Sequence, residues 1–367
     1  MKAMKDHARE YSFCAYCPKV CRFSCPVSES TKTETTSTWG KMTAAHLAVT
    51  GQRPVDEQAS KAIHACTGCM RCTEFCKHHN QPADALFAAR GETIAKGVQP
   101  AGAASTLATF AQSGNPFGRQ LAPLVAAWKA DSPVRYPFFP GCTVLVKRSE
   151  LVDETLNVAN RFGAPLGVSR AAGRCCGYPL YAAGAFELFQ AHARSFAESI
   201  GPYPELVVQD PGCAFTMKVL YPRFDVHPSA RIRTVYEVLD ENLPHAPLKP
   251  ALEEAVAYHD ACHLGRGLGQ YDEPRRLLHR AMASVREAPS SGNEAGCAGG
   301  GGLLPRTMQE TAVDVARRQA AELQSVAGET VVTACPTSRR MFERAGRRSE
   351  DLLSVLKRWL DFEPPTS

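Results

Sequence analysis

Cys66-Thr67-Gly68-Cys69-Met70-Arg71-Cys72-Thr73-Glu74-Phe75-Cys76 sets four thiols at the spacing C-x2-C-x2-C-x3-C, and an earlier run, Cys14-x2-Cys17-x3-Cys21-x3-Cys25-Pro26, nearly repeats it. A turn with three cysteines so close wraps one face of an iron–sulfur cubane, and the fourth cysteine of each run reaches across to the neighbouring cluster. That assigns Cys14, Cys17, Cys21 and Cys76 to one 4Fe-4S cluster, and Cys66, Cys69, Cys72 and Cys25 to the other. Zinc favours two CxxC pairs separated by a longer loop, whereas here the third and fourth cysteines follow within two or three residues. A disulfide scaffold belongs to short exported chains, and Met1-Lys2-Ala3-Met4-Lys5-Asp6-His7 shows no apolar h-region or twin arginine. Two details depart from the pattern: an extra residue between Cys17 and Cys21, and Lys77 after Cys76 in place of proline.

The second run has the ligand spacing of bacterial-type ferredoxins, which the pair resembles. Forty residues separate Cys25 from Cys66, and within them 39–47 has a helix-suited composition, as does 83–90 after the second run. The expectation is an α-helical ferredoxin domain over 1–97, not the small β-rich kind. Residues 98–133, rich in Ala, Gly, Gln and Ser, read as a linker packed as short helices near 106–111 and 121–128.

At 367 residues and 44% hydrophobic content the chain is long enough for two or three domains with a sizeable core. Its net charge of +5 is mixed in sign along the sequence, so there is no electrostatic footprint for nucleic acid. No apolar run approaches the ~20 residues of a spanning helix, which leaves membrane contact to a partner or a surface helix. Many cysteines without an export signal point to the cytoplasm.

The other seven cysteines repeat. Cys142, Cys176 and Cys213 map onto Cys262, Cys297 and Cys335 at offsets of 120, 121 and 122 residues, so the second half holds two copies of one unit, 134–250 and 251–367. Apolar, strand-like runs lead into Cys142, Cys213, Cys262 and Cys335, and helix-periodic stretches at 151–162, 186–199 and 311–326 separate them. Strand and helix alternate as in an open α/β sheet, whose ligands sit at the carboxyl ends of the strands. The four strand-end cysteines therefore predict a site between the copies.

These residues carry a resemblance. Cys142, Cys175-Cys176-Gly177 and Asp210-Pro211-Gly212-Cys213 resemble the first copy of the cysteine-rich CCG domain; His259-Asp260-Ala261-Cys262-His263-Leu264-Gly265-Arg266, Gly296-Cys297-Ala298-Gly299-Gly300-Gly301 and Ala334-Cys335-Pro336 resemble the second. The domain occurs in heterodisulfide reductase B subunits and in the iron–sulfur subunits of glycolate oxidase, lactate utilisation enzymes and anaerobic glycerol-3-phosphate dehydrogenase, the latter with an N-terminal two-cluster ferredoxin module. The departures bear on mechanism. Thr216 and Ser338 stand where the full motif ends in a second cysteine, and Gly296 precedes Cys297 where the motif reads CC. Members that reduce disulfides at a non-cubane cluster use five thiolates per copy, as the resemblance implies, and this chain has four and three. Cys142, Cys175, Cys176 and Cys213 still suffice for a third cubane. In the second copy either His263 or Ser338 completes a site with Cys262, Cys297 and Cys335, or the copy is metal-free and its cysteines are ordinary small buried residues.

Other signals weigh less. Gly265-x-Gly267-x-Gly269 lacks the dinucleotide spacing and Ala298-Gly299-Gly300-Gly301-Gly302 lacks the Lys-Ser/Thr of a phosphate loop, so both read as backbone approaching sulfur closely. His78 and His79 read as solvated, and 338–360, with Arg339, Arg340, Arg344, Arg347 and Arg348, as an amphipathic helix with a solvated basic face. Taken together, the resemblance implies an iron–sulfur electron-transfer subunit served by a flavoprotein dehydrogenase, an electron-transfer flavoprotein or a quinone-linked membrane subunit. The alternative is direct reduction of a disulfide or sulfur substrate, and a zinc-stapled interaction protein is the reading that ligand softness alone leaves open.

Overall fold

A computed structural model describes residues 4–128, 135–328 and 330–363. Helices Ala8–Ala15, Thr38–Val49, Glu57–His64 and Pro82–Ala95 pack around Tyr11, Met42, Ala45, Ile63 and Leu86, and no strand precedes Tyr136 among the described residues. Ser37 and Asp56 cap two of them, accepting from Gly40 N at 3.1 Å and Ala59 N at 2.8 Å, each worth about 1 kcal/mol. The segment expected as a linker holds helix Ala101–Ser113 and the short turns Ala122–Val125 and Ala126–Trp128, while residues 129–133 lie outside the described residues. The longer of these helices is a packed element. A Cβ on its Gly102 would stand 2.0 Å from the Arg306 carbonyl, so only glycine allows that approach.

Two four-stranded sheets follow. β1 (Tyr136–Phe139), β2 (Leu166–Val168), β3 (Glu205–Val208) and β4 (Arg231–Thr234) run in the order β2-β1-β3-β4 with every pair parallel. β5 (Leu252–His259), β6 (Met282–Arg286), β7 (Val331–Thr333) and β8 (Ser349–Asp351) repeat it as β6-β5-β7-β8, again all parallel. The second half is thus a duplicated α/β unit, with crossovers long enough to carry helices between parallel strands. The central strands of the first sheet are buried on both faces: Phe138, Phe139, Val207 and Val208 are inaccessible to solvent, and each such side chain contributes about 1.5–3 kcal/mol. The copies meet through helices Glu150–Arg161 and Leu352–Asp361, where Trp359 packs edge-on to Phe162 and Arg161 pairs with Asp361 at 3.0 Å.

The C-terminal basic stretch differs from its expectation. It is broken into helix Pro336–Arg344, strand β8 and helix Leu352–Asp361, with Gly346 at φ +71° ending the first. The second helix buries Leu352, Leu353, Val355, Leu356 and Trp359, so its apolar face is core.

Candidate functional site

The two ferredoxin-type runs fold against each other around two small cavities. Cys14, Cys17, Cys21 and Cys76 line an outer one, and Cys25, Cys66, Cys69 and Cys72 an inner one, so each run sends its fourth cysteine to the other's cavity. Among the described residues, no group of three His, Cys, Asp or Glu side chains is placed to hold a single metal ion; here four thiols stand around a space. Met70 (φ +61°) and Gly68 (φ +70°) supply the left-handed turns that fold the second run, and Gly68 N donates to Cys66 Sγ at 3.4 Å. At the outer site Asn80 donates from Nδ2 to Cys14 Sγ (3.1 Å) and from its backbone N–H to Cys76 Sγ (3.4 Å). Burial pushes the Cys14 thiol up to about 12 and Cys21 up to about 11, so as lone thiols they stay protonated at neutral pH, and metal ligation is what releases the protons.

Cations surround the inner site. Lys41, 2% exposed, donates from Nζ to Cys25 Sγ at 3.2 Å. Arg90, fully buried, donates to the Cys66 carbonyl (2.7 Å), and Arg266 to the Cys69 carbonyl (2.6 Å). Arg90 Nε and Arg266 Nη2 are buried without partners, and none of the three cations makes an ion pair with a carboxylate among the described residues. Buried charge of one sign requires compensation. Four thiolates around an iron–sulfur core, net negative, fit that requirement.

The third cavity, about 210 Å³, lies where the two sheets present their carboxyl ends, and all seven remaining cysteines line it. Cys142 starts a helix directly after β1, Cys213 follows β3, Cys262 follows β5, and Cys335 caps the helix after β7. Gly141, at φ +90°, is obligatory there, since a Cβ would meet Asp210 Cβ at 3.1 Å and Cys213 Sγ at 3.2 Å. The copies differ. In the first, Cys142 Sγ lies 3.6 Å from Cys175 Sγ, and the contacts continue to Cys176 and Cys213. Hydrogen bonds from Cys175 and Cys213, joined by Thr216, hold the Cys176 thiol well below its usual range. In the second, Cys297 turns to the inner ferredoxin-type site: it packs with Cys69 and Val315 in one buried cluster, and its Sγ donates to Thr67 Oγ1 at 3.5 Å.

Asp210, Gly212, His259 and His263 also line this cavity. Burial, with Cys176 nearby, raises the Asp210 carboxyl to about 7 while its Oδ1 accepts from Gly212 N at 2.8 Å. Burial lowers His259 and His263 to about 4, leaving both neutral; His263 stacks on Phe215 at 4.6 Å.

Each motif departure has a structural counterpart. Thr216 donates to the Gly212 carbonyl (2.7 Å) beside Cys176, and Ser338 N donates to Cys335 Sγ (3.5 Å). A Cβ on Gly296 would stand 1.3 Å from Gln319 Oε1, so the place of the missing cysteine is filled by that buried glutamine. The glycine run behaves as read from sequence, with Gly299 N donating to Cys297 Sγ at 3.3 Å. His78 and His79 are exposed, in line with the solvated reading, and His78 also stacks on Phe13 and lines the outer cavity. Lys41, Arg90, Asn80 and Gln319 were not legible as site residues, because a lone cation or amide carries no spacing signal, and Arg266 was legible only as the end of the His259–Arg266 motif.

Residues 10–80 match the 4Fe-4S dicluster domain, and 136–218 and 256–343 each match the cysteine-rich domain, CCG. Among curated proteins the chain is similar to the fumarate reductase (CoM/CoB) B subunit of Methanothermobacter marburgensis, 25% identical over 86% of this chain and 64% of that one. It is 24% identical to the dihydromethanophenazine:CoB–CoM heterodisulfide reductase D subunit of Methanosarcina acetivorans, over 77% and 73%. It is 27% identical to EtfAB:quinone oxidoreductase of Syntrophomonas wolfei, over 67% of this chain but 37% of that protein. The chain therefore spans less than two thirds of the first and third. No described helix is long and apolar enough to cross a membrane.

Proposed function

We propose that this chain, a member of the iron–sulfur proteins that join a 4Fe-4S dicluster domain to a duplicated cysteine-rich domain, is the electron-transfer subunit of a multi-subunit oxidoreductase. When bound, such clusters supply one-electron transfer without moving a proton or a chemical group. The observation that carries the reading is the packing of Cys69 of the inner site with Cys297 of the cavity in one buried cluster, which brings cysteines of the two domains together. Cys14, Cys17, Cys21 and Cys76 would hold the outer cluster, Cys25, Cys66, Cys69 and Cys72 the inner one, and Cys142, Cys175, Cys176 and Cys213 a third, within domains divided near 97, 133 and 250. Cys262, His263 and Cys335, which line the same cavity, remain as further ligand candidates. Phe13, Tyr16, Val20 and Phe23 are exposed beside the outer site, the face we assign to a flavoprotein partner, with quinone-linked membrane proteins as the downstream or upstream companion.

The cavity's volume, about 210 Å³ with Phe117, Arg306 and Arg340 in its lining, gives the second reading its support, as room that a sulfur substrate would need. The filled position at Gly296 counts against it. Anaerobically purified protein should contain iron and acid-labile sulfide equivalent to two or three 4Fe-4S clusters, with zinc near zero. Cys176→Ala should abolish the third paramagnetic centre and Cys297→Ala should leave it. Stoichiometric zinc with little sulfide would overturn the reading, and a paramagnetic state formed on oxidation only with a thiol substrate would favour the second.

A further inference from the structure

We infer that Lys41, backed by Arg90 and Arg266, makes the inner ferredoxin-type site the more readily reduced of the two, so that electrons entering at the outer site run inward to Cys297 and the cavity. This rests on the proposed occupancy of both sites. Reduction adds one negative charge to a site, and a fixed cation close to it, shielded from water, lowers the energy of the reduced form more than that of the oxidised form.

The two sites differ in that respect. Lys41 is the one charged side chain lining the inner cavity; it is buried, donates directly to Cys25 Sγ at 3.2 Å, and has no carboxylate partner among the described residues. Arg90 and Arg266 stand behind Cys66 and Cys69 through their carbonyls. The outer cavity also has a lysine, Lys19, but its side chain is 36% exposed, lies over the Trp39 ring and sits 4.0 Å from the Glu34 carboxylate. Water and a counter-charge screen it. The donor that reaches an outer thiol through its side chain is Asn80, an uncharged amide. Hydrogen bonding therefore acts at both sites, and uncompensated buried charge at the inner one alone.

The direction follows from position. The outer site lies beside the exposed residues Phe13, Tyr16 and Phe23, whereas Cys69 of the inner site packs in one buried cluster with Cys297. An electron arriving from a partner thus meets the less readily reduced site first and finds the better acceptor next to the cavity.

The test is a dye-mediated redox titration of anaerobically purified, cluster-loaded protein followed by electron paramagnetic resonance, with the outer signal identified by its change in Cys17→Ser. The inner signal should appear at the higher potential. Lys41→Met should lower the reduced-to-oxidised ratio of the inner centre at least tenfold at a fixed potential, about 59 mV for one electron, and leave the outer centre in place. Lys41→Arg should restore most of it, which a purely structural role for the lysine would not predict. If Lys41→Met fails to retain the inner centre, Arg266→Gln, whose hydrogen bonds go to backbone carbonyls, should move the same midpoint in the same direction by less. An outer signal that appears first, or an inner midpoint unmoved in these variants, overturns the inference. Iron and sulfide below two clusters per unmodified chain would instead overturn the occupancy on which it rests.

Discussion

Asp351 shows how a single buried carboxylate writes a pH dependence into the fold. It is inaccessible to solvent at the end of β8, where Oδ1 caps the last helix by accepting from Leu353 N at 3.0 Å while Oδ2 has no partner. Burial raises it from 3.8 to about 7. Between those values the folded state holds a proton that the unfolded chain releases, so this stabilising contribution is full below pH 3.8 and is lost as pH rises through about 7. Every tenfold gain in proton affinity on folding is worth about 1.4 kcal/mol. Asp351→Asn keeps the capping oxygen and cannot ionise. Denaturant midpoints at pH 5 and pH 8.5 should therefore fall less in the variant than in the parent, and equal slopes would mean that Asp351 ionises freely in the fold. At this scale the sequence was legible where spacing carries chemistry: fifteen cysteines line three cavities. Lys41 was not, because its meaning comes from Cys25, 16 residues away and brought to it by the packing of helix Thr38–Val49.

Among the elements, legibility divides by position in the sheet. β1, β3, β5 and β7 are the central strands; β1, β7, nearly all of β3 and the second half of β5 from Val256 on are buried, and those stretches read as apolar runs ending at a cysteine. β2, β4, β6 and β8 are the edges and gave no signal: Leu166–Val168 carries a glycine at its centre, Ser349–Asp351 has no apolar residue, and Arg231–Thr234 alternates charged and uncharged residues. An edge strand pairs on one side only, so its composition need not announce it. The basic C-terminal stretch reads as one helix for the same reason, because β8, which interrupts it, is such an edge. The glycine loop 299–302 was legible as close-approach backbone, and its partner turns out to be the other domain. A Cβ on Gly301 would stand 2.3 Å from the Thr67 carbonyl, while one on Gly300 meets side-chain atoms of Thr337 and Met341 that can shift. Gly301→Ala should cost about 1–3 kcal/mol as an overpacked contact. Gly300→Ala should cost less, and equal costs in chemical denaturation would show that the loop is not pinned by the Cys66–Thr67 backbone.

The whole molecule is joined at Arg90. From the helix Pro82–Ala95 of the first domain, its guanidinium donates to the carbonyls of His64 (3.3 Å) and Cys66 (2.7 Å) at home, to Ala182 (2.5 Å) in the first cysteine-rich copy and to Gly302 (2.9 Å) in the second. It also lies over the Phe87 ring at 4.0 Å. Nothing in the sequence around Arg90 marks this role, since carbonyls contribute no side-chain pattern and the partners lie up to 212 residues away. The duplicated cysteines fixed the copies from sequence alone, whereas the docking of the three units depends on backbone groups and remained hidden. A charged hydrogen bond to a buried carbonyl is worth about 1.5–3 kcal/mol, and removing the donor leaves the acceptor unsatisfied. Arg90→Met keeps most of the apolar stem and removes all four donations, so its cost should reach several kcal/mol, concentrated where the domains meet. Hydrogen exchange should rise in the 64–68 and 300–304 segments together, while the central strands β1 and β5 keep their protection. Faster exchange confined to helix Pro82–Ala95 would show instead that Arg90 stabilises its own helix and that the domains are held by other contacts.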